Sequence, residues 1–117
     1  MGSMVIQENE RGFVQVDWGR TKNMFGPENG GTRYLQINIT EYSPGGEHTL
    51  HRHPNQEEVI YVLEGEGISR TKAGDQPIRS GSFVFVPADT DHATINLRKD
   101  VPLKAIIIKS PPQDRKN

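Results

Sequence analysis

No stretch of ten or more residues in this chain carries the 3.6-residue apolar period of a helix; short alternating runs broken by Gly, Pro and Asp recur instead. Alternation with period two sends successive side chains to opposite faces of a strand, so the pattern predicts an all-β sandwich or barrel. Residues 13–16 and 21–25 read as short strands, followed by the turn-rich run 26–31. Residues 33–42 alternate cleanly, with Leu35, Ile37 and Ile39 on one face and Gln36, Asn38, Thr40 and Tyr42 on the other. The polar set reads as a solvated outer face. It would line a cavity instead if the apolar set packed outward against a partner subunit or a second layer.

Further along, residues 58–63 are rich in β-branched and aromatic side chains, which predicts a strand buried on both faces. Residues 64–67 read as a hairpin turn onto a strand at 68–71, and 72–77 as another turn. Residues 82–86 give a second buried strand, with Phe83 and Phe85 in the core, stopped at Pro87. Residues 91–97 and 103–108 supply the last two strands. Ile106 and Ile108 fall opposite Leu103, Ala105 and Ile107, so one set needs a cover from outside the barrel. A homodimer interface would supply it.

With 117 residues, one modest core is expected, over residues 4–110. Met1, Gly2 and Ser3 ahead of Met4 read as a cloning remnant, and residues 111–117 as a flexible tail. A net charge of −1 without a basic stripe argues against nucleic acid and anionic membranes as partners. No apolar run reaches spanning length and no signal peptide is visible, so the cytoplasm is the default location. The absence of cysteine removes disulfides, thiolate ligands and cysteine nucleophiles together.

Chemistry concentrates in one segment. Three of the four histidines, His48, His51 and His53, fall within six residues, and His92 is the fourth. At i, i+2 spacing on extended chain, His51 and His53 share a face roughly 7 Å apart and can converge on one metal ion. A carboxylate on the following strand and a distant imidazole would complete a nitrogen-and-oxygen site. Glu58 shares a face with Ile60 and Val62 and so is preferred over its neighbour Glu57. His48 has the opposite parity to His51 and reads as a surface histidine. Trp18, the one tryptophan, fits a subunit contact or the barrel bottom.

These residues make the chain resemble a small cupin, a double-stranded β-helix or jelly-roll barrel of the RmlC-like superfamily. Gly45, His51, His53, Glu58 and Gly65 meet the first cupin motif, G-x5-H-x-H-x4-E-x6-G, with every spacing kept. Gly81, Pro87, His92 and Asn96 meet the second, G-x5-P-x-G-x2-H-x3-N, in which Asp89 replaces the internal glycine. That departure is mild, because Asp tolerates left-handed backbone geometry. The resemblance implies one divalent transition metal, such as Mn, Fe, Ni or Zn, held by His51, His53, Glu58 and His92 with open positions for a ligand. It implies an enzyme acting on a small organic molecule: an isomerase or lyase using the metal as Lewis acid, or a dioxygenase using Fe(II). A module that binds metal and a sugar or small acid without turnover is the alternative, since this fold hosts both. Asn96 is expected to hold backbone, and the residues name no catalytic base.

Overall fold

The computed structural model describes residues 4–112. The expected remnant at 1–3 and the end of the expected tail at 113–117 lie outside the described residues. After a 3-10 turn at Glu8–Glu10 come ten strands: β1 (Val14–Val16), β2 (Gly19–Phe25), β3 (Gln36–Tyr42), β4 (Glu47–His51), β5 (Glu57–Glu64), β6 (Glu66–Thr71), β7 (Gly74–Arg79), β8 (Phe83–Val86), β9 (His92–Asn96) and β10 (Leu103–Ser110). They form two antiparallel sheets, one in the order β1-β2-β3-β10-β5-β8 and the other β4-β9-β6-β7. The chain is therefore all-β, as the alternation predicts, and folded as the jelly-roll barrel that the resemblance implies.

The interior changes character along the strands. On β10, Leu103, Ala105 and Ile107 are buried in turn, and Lys109 continues the same face. On β5 the inward series is Val62, Ile60 and Glu58. Tyr42, Thr40 and Asn38 of β3 sit across from Leu103, Ala105 and Ile107 of β10. One end of the barrel is thus an apolar core of Ile60, Val62, Ile78, Val86, Leu103 and Ala105. The other end is polar and open.

Four expectations change. The polar face of β3 does not point to solvent: Asn38, Thr40 and Tyr42 line an internal cavity. Ile37 and Ile39 take the outer face with Ile106 and Ile108, their register partners on β10. Residues 64–67 form no hairpin, because β5 and β6 belong to different sheets. The chain crosses there through Gly65, at φ 101°, and Gly67, where a Cβ would lie 2.2 Å from the Ile95 carbonyl oxygen. Residues 74–79, read largely as a turn, form β7; as the edge strand of its sheet it accommodates Pro77, whose missing N–H costs no ladder bond on the open side. Phe83 and Phe85 are not core but 74% and 59% exposed, on the outer face of edge strand β8.

Candidate metal centre

His51 ends β4 and faces its register partner His92 at the start of β9, so the sheet itself brings two distant histidines together. His53 lies two residues past β4, and its ring meets that of His51 edge-on at 4.9 Å between centroids. One nitrogen from each of His51, His53 and His92 lies within 4.8 Å of the others. Glu58 projects from β5 into the same space: Oε1 is 3.4 Å from His53 Nε2 and Oε2 is 3.4 Å from His92 Nε2. Its side chain is 5% exposed, whereas Glu57 is exposed on the opposite face.

Backbone carbonyls fix two of the rings. His51 Nδ1 lies 2.6 Å from the Thr49 carbonyl and His92 Nδ1 3.1 Å from that of Thr90. A carbonyl only accepts, so each Nδ1 carries a proton; that leaves His51 Nε2 with its lone pair, and His92 Nε2 offers one once it gives up the proton it shares with Glu58, the tautomer a metal-binding imidazole needs. Asp89, in the place of the motif glycine, adopts φ 61° and donates its N–H to the His53 carbonyl at 3.2 Å. Outside the cavity, Arg52 Nε donates to Asp91 Oδ1 at 2.7 Å, tying the loop between His51 and His53 to the residue before His92.

The electrostatics favour neutral nitrogens around one anion. Burial, reinforced by Lys109, pushes His53 down to about 4, and burial also lowers His51. Burial is also the largest influence on His92, but the hydrogen bonds to Glu58 and the Thr90 carbonyl and the charge of Glu58 together outweigh it and raise that ring. Glu58 is opposed by its own burial yet held below the ordinary range by the His92 hydrogen bond and the charge of Lys109. At neutral pH His51 and His53 therefore offer lone pairs and Glu58 a carboxylate, while Glu58 holds His92 toward its protonated form.

One cavity residue contradicts the parity reading. His48 does not face away: its ring stacks on His51 at 3.8 Å and on Trp18 at 4.3 Å, and Trp18 stacks in turn on Tyr42 at 5.0 Å. The reason is a register shift between His48 and His51 in the β4–β9 pairing, which carries both to one face. Burial pushes His48 down to about 4. Trp18 is a cavity wall rather than a cap on the barrel bottom. Lys109 also lines the cavity, with Nζ 4.0 Å from Glu58 Oε1; the strand expected from the sequence stops at residue 108, and shared parity with Leu103, Ala105 and Ile107 is the signal that could have found it. Asn96 holds backbone as expected, its Nδ2 donating to the carbonyls of Tyr42, Ser43 and Val101. The cavity above the cluster has a volume of about 100 Å³.

A family model described as a cupin domain, Cupin_2, matches residues 38–109. An uncharacterized protein of Methanocaldococcus jannaschii is 32% identical over 68 residues, 58% of this chain and 54% of that protein. An oxalate-binding protein of Thermotoga maritima is 33% identical over 66 residues, 56% of this chain and 54% of its own length. The chain thus spans about half the length of the curated relatives it matches. Among solved structures, KdgF from Halomonas sp. superposes with a TM-score of 0.83 at 21% identity, covering 100% of both chains, which is a likeness of fold.

Proposed function

The chain belongs to the cupin domain family, and from that premise we propose that it is a metal-dependent enzyme acting on a small organic molecule. One divalent transition metal (Mn, Fe, Ni or Zn) is held by His51, His53, His92 and Glu58. The observation that carries this reading is the convergence of three imidazole nitrogens within 4.8 Å, with both Glu58 oxygens 3.4 Å from a ring nitrogen, beside a cavity able to admit a ligand. Three nitrogens and a carboxylate oxygen suit such ions and leave coordination positions for substrate. A metal so bound supplies Lewis-acid polarisation of a carbonyl for isomerase or lyase chemistry or, as Fe(II), activation of dioxygen. The chain's own part is to hold the rings in the required tautomer through the Thr49 and Thr90 carbonyls, and to wall the cavity with Trp18 and Tyr42.

The double variant His51→Ala/His53→Ala is expected to lose stoichiometric metal, measured by elemental analysis of untagged protein, while keeping its far-UV circular dichroism. Retained one-to-one metal would sink the ligand set.

A second reading, a module that binds metal and a small acid without turnover, is favoured by the name of the Thermotoga maritima relative, an oxalate-binding protein. Oxygen uptake by Fe-loaded protein, or substrate loss under nitrogen with Mn or Zn, separates the readings. A ligand recovered unchanged after tight binding assigns the module. We also propose that a second copy of the chain covers the outer face of the six-stranded sheet.

A further inference from the structure

The cavity lining, read by charge, is asymmetric. Among the described residues that line it, Glu58 is the one carboxylate and Lys109 the one ammonium. Without metal, the two sit 4.0 Å apart and offset each other, with side chains 5% and 16% exposed. Once Glu58 and the imidazoles are committed to a divalent cation, the carboxylate no longer offsets the lysine. The cavity then holds a net charge of about two positive in partly desolvated surroundings, which an anionic ligand would neutralise.

A second donor stands beside Lys109. Lys109 is paired in register with Glu58 on β5 and Gln36 on β3, and Asn38, two residues along β3, is its diagonal neighbour on the cavity face. The amide of Asn38 is oriented by a relay: Asn29 Nδ2 donates to Asn23 Oδ1 at 2.8 Å, and Asn23 Nδ2 donates to Asn38 Oδ1 at 2.8 Å. The relay uses the oxygen of Asn38 and leaves its N–H donors for whatever occupies the cavity. The wall beyond the metal cluster therefore offers one ammonium and one amide donor.

Size narrows the class. At about 100 Å³, the cavity is smaller than one of about 150 Å³ that encloses benzene. It admits a short acid and excludes full enclosure of a ring. We propose that Lys109, with Asn38, is an anion subsite facing the metal cluster, and that the ligand is a short organic acid with two oxygen functions, a dicarboxylate or a 2-oxo or 2-hydroxy carboxylate. One end of the ligand meets the metal and the other meets Lys109. This rests on the metal reading above.

The test uses the metal-loaded full chain, titrated calorimetrically with malonate, with malonamide as neutral control and inorganic phosphate as a one-centre anion. Wild type is expected to bind malonate and not malonamide. Lys109→Met is expected to weaken malonate at least about tenfold, as for loss of a charge-assisted hydrogen bond, while keeping one metal per chain. Lys109→Arg is expected to retain binding. If Lys109→Met does not fold, Asn38→Asp reads the same anchor, because the introduced carboxylate still accepts from Asn23 but adds a repelling charge, and it too should lose malonate. A lysine that merely positions Glu58 gives the opposite pattern, with metal affinity falling and malonate affinity unchanged, and overturns the proposal. So does phosphate or malonamide binding as tightly as malonate. One-to-one metal with no malonate binding in wild type sinks this inference alone; failure of wild type to take up metal sinks both it and the metal reading.

Discussion

Whether His51, His53 and His92 can receive a cation near neutral pH depends on where their protons sit. An imidazole with an ordinary pKa near 6.5 is mostly protonated at pH 6, so three such rings would give up roughly two protons to an incoming metal. Here burial sets His53 at about 4, so it is neutral at pH 6 and releases nothing, and burial lowers His51, which releases less than an ordinary ring. His92 has the opposite sign: burial lowers it, but its hydrogen bonds to Glu58 and the Thr90 carbonyl and the charge of Glu58 together raise it, so it holds its proton at pH 6. Zn²⁺ or Mn²⁺ binding at pH 6 is therefore expected to release fewer protons per site than the roughly two of three ordinary rings, with His92 the main source. Calorimetry in buffers of different ionisation enthalpy measures that number. A release of two or more would contradict the lowering of His51 and His53.

At the scale of the strand, Asn96 joins three backbone segments from the end of β9. At 2% exposed, its Nδ2 reaches the carbonyls of Tyr42, Ser43 and Val101, and its Oδ1 accepts from the Arg98 N–H at 2.9 Å. Asn96→Ala leaves those buried groups without their partner and is expected to cost about 3 kcal/mol. For a chain of this size that lowers the melting temperature by roughly 10 °C, readable by thermal denaturation; a shift within 2–3 °C, about what a cost under 1 kcal/mol gives, would deny the strut. The strands also show what is legible in the sequence. Motif spacing places His51, His53, Glu58 and His92 near one another because β4 and β9 pair at His51 and His92, and β5 of the other sheet turns Glu58 inward toward them. Parity fails at His48 because a bulge in the β4–β9 pairing adds residues without turning the chain over, and no residue type announces that. The hairpin reading of 64–67 fails for a related reason: glycines that suit a tight turn equally suit a crossing between sheets.

The whole molecule explains the remaining misreading, of which face of β3 is inside. In a barrel whose core is apolar throughout, the apolar stripe points inward. Here half the interior is a polar cavity, so the polar stripe of β3 goes in and Ile37 and Ile39 go out. The outer face of the six-stranded sheet consequently carries two apolar rows in register across four strands: Ile39, Ile106, Tyr61 and Phe83, then Ile37, Ile108, Val59 and Phe85. Toward β2 this face meets the N-terminal segment, where buried Lys22 donates to the Glu8 carbonyl at 2.9 Å. Toward β8 it is bare, with Phe83 74% and Phe85 59% exposed. A self-complementary patch of this kind suits a twofold dimer, in which a standard interface takes about 800 Å² from each partner. Light scattering is therefore expected to give wild type twice the chain mass of 13.1 kDa. Phe83→Ser/Phe85→Ser should weaken the dimer by at least about a hundredfold, from the burial energy of two aromatic rings per chain, and run as a monomer. Because both side chains point away from the cavity, the variant should keep its metal, and a wild type that elutes at 13.1 kDa would leave the apolar rows without this partner.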